Sequence, residues 1–128
     1  MADARTAFPP WLLLVEDEAP LAEATQAILT GDFHVDVAGT VAEALQLLGT
    51  KQYAVIISDH MLPGKEQWLN FLIKALELQP KAKRILMTGY LNPELLGRSV
   101  SVAQLSACLI KPVPMATLRA ELHRVLGG

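Results

Sequence analysis

Short apolar runs alternate with stretches of helical periodicity along this chain of 128 residues. Each run is short enough to be a strand, and between the runs apolar residues recur every three or four positions, as in amphipathic helices. Strict alternation of strands and helices predicts an α/β fold, with a parallel sheet covered by helices on both faces. The five expected strands are Trp11–Val15, Phe33–Val37, Ala54–Ile57, Ile85–Met87 and Ala107–Ile110.

The helical stretches between these strands carry start signals. Pro20 suits a first helical turn, Thr40 and Glu43 have the spacing of a capping box, and the last helix is expected to begin near Pro114. The fourth helix is expected to begin at Asn92–Pro93, although Gly97 weakens it. The other four helices have the apolar stripes Leu21, Ala24, Ile28 and Leu29; Val41, Ala44, Leu45 and Leu48; Trp68, Phe71, Leu72, Ala75 and Leu76; and Met115, Leu118, Leu122 and Val125.

The patterns of the strands predict their order. The second strand alternates apolar residues with His34 and Asp36, which is typical of an edge, whereas the other four are nearly all apolar, as in strands buried on both faces. Right-handed crossovers then favour a doubly wound five-stranded sheet of order 2-1-3-4-5. Residues 1–10 are expected to be a mobile N-terminal tail, and residues 11–128 a single domain.

Composition argues against several classes of protein. About half of the residues are apolar (52%) and 19% are charged, which is too hydrophobic for a disordered chain. The net charge of −2, with 11 scattered Lys and Arg residues, argues against direct binding of nucleic acid. No run approaches the roughly 18 apolar residues of a membrane span. Cys108 has apolar neighbours and is expected to be a buried, reduced thiol, so we expect a cytoplasmic protein.

Polar residues follow the central strands at their carboxyl ends, where the functional crevice of such a sheet lies. Glu16 and Asp17 follow the first strand, Asp59 the third, Thr88 the fourth and Lys111 the fifth. Carboxylates gathered in one crevice repel one another unless a cation lies among them, and Mg²⁺ prefers such oxygen ligands. An acidic metal pocket with one lysine and one hydroxyl suits phosphoryl transfer to a carboxylate.

Four stretches give the chain a family resemblance that covers Trp11 to Leu126. They are Leu12–Glu18, Ile57–Gly64, Ile85–Tyr90 and Leu109–Pro112. In this order and spacing they resemble the receiver domains of response regulators in bacterial two-component systems. The resemblance implies the flavodoxin-like (βα)5 fold and a phosphorylated signalling switch that catalyses only its own phosphorylation and dephosphorylation.

The resemblance also implies a role for each residue of the crevice. Asp59 matches the phosphoacceptor, and Glu16 and Asp17 match the acidic pair that holds Mg²⁺, with Asp17 as the direct ligand. Asp59 itself and the backbone carbonyl of Met61 are implied as further metal ligands.

A second group of residues is implied to sense the phosphoryl group. Thr88 would bond a phosphoryl oxygen, and Lys111 would form an ion pair with it and precede Pro112 through a cis peptide bond. Cys108 stands where many receivers carry Tyr or Phe, so the aromatic part of the usual switch is absent or is replaced. Tyr90 offers a ring nearby, although an ordinary loop tyrosine is the simpler interpretation.

The implied partners are a sensor histidine kinase or a histidine phosphotransfer protein. The implied readout is the face formed by helix 4, strand 5 and helix 5, which is also a candidate homodimer surface. Whether an effector domain follows Gly128 is left open. His60 is interpreted as an exposed loop residue, and His34 and His123 lack metal-like partners.

Three other functions remain as alternatives. A phosphatase of the haloacid dehalogenase type would need a second Asp two residues after its nucleophile, where this chain has Met61. An interaction module that does not use phosphorylation is favoured only by Cys108. A flavodoxin-like cofactor domain would need a phosphate-binding loop after the first strand, and no Gly-rich or Ser/Thr-rich loop follows Val15.

Overall fold

The computed structural model describes residues 8–59, 67–89 and 93–127, in which five strands alternate with five helices. The strands are β1 (Trp11–Val15), β2 (His34–Ala38), β3 (Val55–Asp59), β4 (Lys83–Thr88) and β5 (Ala107–Ile110). The helices are α1 (Ala19–Leu29), α2 (Val41–Leu48), α3 (Gln67–Leu78), α4 (Pro93–Ala103) and α5 (Met115–Val125). Of the expected N-terminal tail, residues 1–7 lie outside the described residues.

The strands form one parallel sheet in the order β2-β1-β3-β4-β5, which confirms the predicted topology. The register pairs Val15 with Ser58, Asp59 with Met87, and Thr88 with Ile110. Because the strands are parallel, the chain leaves all of them at the same edge of the sheet. The switch in strand order lies between β1 and β3, where the residues after Val15 meet the end of β3.

Each face of the sheet is covered by its own group of helices. On one face, Leu12, Leu14, Ile57 and Ile85 pack against α1 and α5, and all four are at most 2% exposed. On the other face the core comprises Leu13, Ile56 and Leu86 of the sheet, Ala44 and Leu48 of α2, Trp68, Phe71 and Leu72 of α3, and Ala103 of α4. The two cores fix the sheet on both sides, so the strand ends form a rigid platform for the residues that follow them.

The capping box of α2 is confirmed with a small change. The Thr40 side chain accepts a hydrogen bond from the backbone N–H of Glu43 at 3.1 Å. The Glu43 carboxylate accepts from the N–H of Gly39 at 3.5 Å, one residue before the position that an ideal capping box uses. No helix in the described ranges is long and apolar enough to span a bilayer.

The bounds of the strands differ from the expected ones at residues where burial of the side chain and pairing of the backbone do not coincide. Phe33 is 2% exposed but precedes β2, because its N–H bonds the carbonyl of Leu29 at the end of α1. β3 extends through Ser58 to Asp59, beyond the apolar run, because both polar residues still pair with β4. β4 is likewise longer than its apolar run, by two residues at its start and by one at its end.

The expectation that the fifth strand is buried on both faces was wrong. β5 is the second edge of the sheet, so Ala107, Cys108 and Leu109 are half-buried and Ile110 is 40% exposed. The Cys108 thiol is therefore half-buried rather than buried. It still packs against the core on the α3 and α4 side, and this burial raises its pKa.

Candidate functional site

Backbone pairing continues past the ends of β1 and β5 and fixes the first residues of the crevice. The N–H of Glu16 donates to the carbonyl of Ala38 at 3.0 Å, and the N–H of Lys111 donates to the carbonyl of Thr88 at 2.7 Å. Asp59 and Thr88 are themselves the last residues of β3 and β4. The carboxyl edge of the sheet thus holds the backbone of four of the predicted site residues in place.

Three carboxylates meet at this edge, as the sequence predicts. One carboxylate oxygen from each of Glu16, Asp17 and Asp59 lies within 4.8 Å of the other two. Glu16 and Asp59 are each only 3% exposed, whereas Asp17 is exposed. The cluster is therefore closed on the protein side and open at Asp17.

Lys111 reaches back over the cluster from the end of β5. Its Nζ is 2.7 Å from Oδ2 of Asp59 and 3.9 Å from Oε1 of Glu16. The lysine side chain is only 25% exposed and that of Asp59 only 4%, so solvent screens this ion pair less than it would a surface pair. Within the described residues, one lysine thus faces three carboxylates.

The pKa of Glu16 reflects its burial beside Asp59. Its pKa is raised from the ordinary value of 4.5 to about 7, first by burial and then by a hydrogen bond with Asp59. The charge of Asp59 raises it further, while the backbone N–H of Glu18, 3.3 Å from Oε2, and the Lys111 ammonium lower it. Near neutral pH the pocket thus holds a proton on Glu16 for much of the time, which relieves its repulsion from Asp59.

The residues implied to act as switches lie at the same edge, within β5 or outside the described residues. Thr88 is fully buried at the end of β4. Cys108 lies on β5 beside Leu86, on the face that packs against α3 and α4. The Lys111–Pro112 bond is cis, as the resemblance implies. Tyr90, together with Met61 and His60, lies outside the described residues.

The family comparison agrees with this geometry. The profile of the response regulator receiver domain matches residues 12–123, which is nearly the whole chain. The chain belongs to the response regulator receiver domain family. Such domains are phosphoacceptor signalling switches rather than classical enzymes, and they receive their signal from kinase or phosphotransfer partners.

Individual relatives give the receiver domain its context. This chain is 30% identical over 101 residues to the hydrogenase transcriptional regulatory protein HoxA of Bradyrhizobium diazoefficiens. The match covers 79% of this chain and 21% of that protein. The chain thus spans about a fifth of the length of this relative. Regions outside the receiver domain therefore make up most of HoxA.

Two solved structures share the fold over almost their full lengths. A CheY-like receiver domain from Methanospirillum hungatei JF-1 is 27% identical, with a TM-score of 0.83 over 91% of this chain and 92% of its own. The signal receiver domain of an HD domain-containing protein from Pseudomonas fluorescens Pf-5 is 25% identical, with a TM-score of 0.85 over 92% and 94%. Both comparisons agree with the five-stranded sheet described above.

The donor set of the receiver domain fits a hard divalent cation. The carboxylate oxygens of Glu16, Asp17 and Asp59 lie close enough to one another to bind a single cation. Asp17 is exposed, so water can also reach the site. Mg²⁺ is commonly held by one or two carboxylates, with water and phosphate oxygens completing its shell.

The sequence analysis did not identify Gln79 and Arg84, two of the buried polar side chains. Gln79 is 1% exposed and binds the N–H of Tyr53 and the carbonyls of Leu48 and Lys51, so it fastens α3 to the connection between α2 and β3. Arg84 is 5% exposed and binds carbonyls at the end of α4. The partners of both are mostly backbone groups, which leave no pattern in a sequence, although an arginine directly before an apolar run was a visible signal.

Proposed function

We propose that Asp59 is the phosphoacceptor of this receiver domain and that its phosphorylation depends on Mg²⁺. The observation that carries the proposal is the 2.7 Å contact between Lys111 Nζ and Asp59 Oδ2, with the oxygens of Glu16 and Asp17 gathered within 4.8 Å of Asp59. A nucleophile, a cation site and a balancing ammonium are thus held together by neighbouring strand ends. The donor is a sensor histidine kinase or a histidine phosphotransfer protein.

In the proposed reaction a carboxylate oxygen of Asp59 attacks the phosphorus of a phosphohistidine. The new O–P bond forms as the N–P bond breaks, and the imidazole nitrogen leaves with the bonding electron pair. Glu16, Asp17, Asp59 and the carbonyl of Met61 would hold Mg²⁺, which supplies positive charge to the phosphoryl oxygens when bound. Lys111 already contacts Asp59, so its ammonium needs only a small movement to pair with the transferred group.

The phosphoryl group then changes the local charge balance. It adds about −1.5 to −2 charge and three acceptor oxygens next to Lys111 and Thr88. We propose that the Thr88 hydroxyl donates to one of these oxygens and that Lys111 forms an ion pair with the group. Because Thr88 ends β4 and Lys111 follows β5, both shifts act on the strand ends that lead into α4 and α5. Cys108, which is smaller than a Tyr or Phe ring, and Tyr90 are the candidates for modulating this change.

The output surface is proposed to be the face of α4, β5 and α5. Val100 and Val102 of α4 are 44% and 46% exposed, and Ile110 of β5 is 40% exposed. Apolar side chains that remain this exposed suit a protein partner or a second copy of the chain. Sedimentation before and after phosphorylation would distinguish a homodimer from a face reserved for another protein.

We also propose an output and a cellular location for this receiver domain. HoxA is a transcriptional regulatory protein, so an effector region that acts on DNA is one candidate output for this receiver domain. The net charge of −2 supports an indirect effect on DNA, in which this chain does not itself bind nucleic acid. We place the protein in the cytoplasm, where a kinase partner would act on it.

The test is the formation of an acyl phosphate on this chain. Incubation with acetyl phosphate and Mg²⁺, followed by intact-mass measurement, is expected to give one phosphoryl adduct on the wild type and none on Asp59→Asn. Asp32→Asn removes an exposed carboxylate elsewhere and serves as the matched control. Phosphorylation that persists on Asp59→Asn, or that ignores EDTA, would contradict the proposal. Turnover of added phosphoesters would instead favour a phosphatase.

A further inference from the structure

The C-terminal end of helix α4 contacts the core of the domain. Among its described side chains only Ala103 is buried, at 0% exposure, while Glu94, Arg98 and Ser101 are exposed. Leu105, just past the helix, packs against the same core. Among the described side chains of α4, the contact with the core thus lies at the C-terminal end of the helix.

Arg84 fastens that end. Its Nε donates to the carbonyl of Ala103 at 2.9 Å and one terminal nitrogen donates to the carbonyl of Gln104 at 3.2 Å, while the other bonds the carbonyl of Ala82. The last carbonyls of a helix lack partners within the helix, so Arg84 supplies what α4 needs at this end. The carbonyl of Arg84 also accepts from the N–H of Ser106 at 2.7 Å, which ties the following connection to β4.

The environment of Arg84 makes this contact specific. The side chain is 5% exposed, and the three hydrogen bonds that it makes within the described ranges all go to backbone carbonyls. Burial lowers its pKa, but the negative end of the helix dipole of α4 offsets part of that cost. The chain turns sharply there, since Gln104 has a φ of 51° in the left-handed region.

Arg84 and Thr88 lie on the same face of β4, because side chains alternate along a strand and these residues are four apart. Leu86 lies between them and is fully buried, so the strand cannot easily bend there. α4 begins five residues after Thr88 and returns along the strand to end at the guanidinium of Arg84. One strand thus contacts the phosphoryl site at one end and the end of α4 at the other.

We propose that Arg84 is the fixed pivot of α4, so that a change at Thr88 displaces the start of the helix while its C-terminal end stays on β4. The inference deepens the proposed function, since it assumes that phosphorylation of Asp59 acts through Thr88. Arg84 is a positioning residue and does not contact the phosphoryl group. It would confine the response to one end of the output helix.

The test is amide hydrogen exchange resolved by residue, with and without beryllofluoride and Mg²⁺ as the acyl phosphate analogue. In the wild type, exchange is expected to change at residues 94–98 and to stay constant at residues 101–105. In Arg84→Met, which keeps the apolar stem, residues 101–105 should exchange at least about tenfold faster even without the analogue, because charged hydrogen bonds to their carbonyls are lost. Adding the analogue should then alter the whole helix.

Controls separate this inference from loss of folding and from the proposed function. Arg124→Met removes another arginine that contacts the same connection, at the carbonyl of Ser106, and should leave exchange in α4 unchanged. If Arg84→Met lacks native circular dichroism, Arg84→Lys replaces it, because one ammonium cannot bind all three carbonyls and should give a smaller acceleration. If residues 101–105 of the Arg84 variant are as protected from exchange as in the wild type, both with and without the analogue, the proposal that Arg84 is the pivot of α4 is wrong. That result in untreated protein is independent of whether Asp59 accepts a phosphoryl group, which intact mass reports separately.

Discussion

Replacing Glu16 with Gln should stabilise the metal-free domain, and more so as the pH rises. Glu16 is 3% exposed and hydrogen-bonded to Asp59, and its pKa is raised from 4.5 to about 7. Gln has nearly the same shape and can still donate a hydrogen bond to Asp59, as the protonated Glu16 does. The substitution therefore removes the cost of ionising Glu16 and retains most of the local packing.

The sign and size of the effect follow from proton linkage. Below pH 4.5 Glu16 is protonated in both the folded and the unfolded chain, so its ionisation costs the fold nothing. Between pH 4.5 and about 7 the unfolded chain releases the proton first, and the free energy of unfolding falls as the pH rises. Above about pH 7 both states are ionised and the loss levels off. At about 1.4 kcal/mol per pH unit, the full loss is about 3 kcal/mol.

Urea denaturation in EDTA at pH 5, 6, 7 and 8 measures this effect. The stability of Glu16→Gln relative to the wild type is expected to rise from under about 1 kcal/mol at pH 5 to about 3 kcal/mol at pH 8. Glu23→Gln, which changes an exposed carboxylate of the neighbouring α1, should show no such trend. A difference that stays constant with pH, or one that favours the wild type at pH 8, would refute the assigned cause.

Three further perturbations test other parts of the site and fold. Mg²⁺ at pH 8 should stabilise the wild type against urea more than it stabilises Glu16→Gln, because the cation offsets the negative charge of the ionised Glu16. Equal stabilisation of the two proteins would contradict the role of Glu16 as a metal ligand. Lys111→Met should raise the pKa of Glu16 further, because the ammonium 3.9 Å away lowers it, and the stability curve against pH would report the shift. Gln79→Leu should cost about 2–4 kcal/mol in urea denaturation, because it leaves the N–H of Tyr53 and two carbonyls without their partner.

The sheet could be predicted because its order follows from features that a sequence displays directly. The alternating pattern around His34 and Asp36 indicated an edge, and the continuous apolar runs correctly indicated central strands for β1, β3 and β4 but not for β5, which is the second edge. The bounds of β3 were harder, because Ser58 and Asp59 are polar yet pair with β4 and are at most 3% exposed. Apolar content reports burial against the core and does not report where the backbone ladder ends.

The site could be predicted in outline for a related reason. Parallel strands deliver their next residues to one edge, so Glu16, Asp59 and Lys111 had to meet once the strand order was known. The depth to which Glu16 is buried, and hence its pKa, depends on how the helices pack and is not encoded in the residues beside it. Arg84 was missed because its partners are backbone carbonyls, which any residue at those positions would offer.

The most direct test of Asp59 as the phosphoacceptor locates the phosphoryl group on the chain. The wild type is treated with acetyl phosphate and Mg²⁺, reduced at once with borohydride, which converts an aspartyl phosphate to homoserine, and digested for peptide mass mapping. We expect homoserine at position 59 and at no other carboxylate, and its loss when EDTA replaces Mg²⁺. Reduction at Glu16 or Asp17, or an unmodified peptide around Asp59 from a sample that carries the phosphoryl mass, would contradict it.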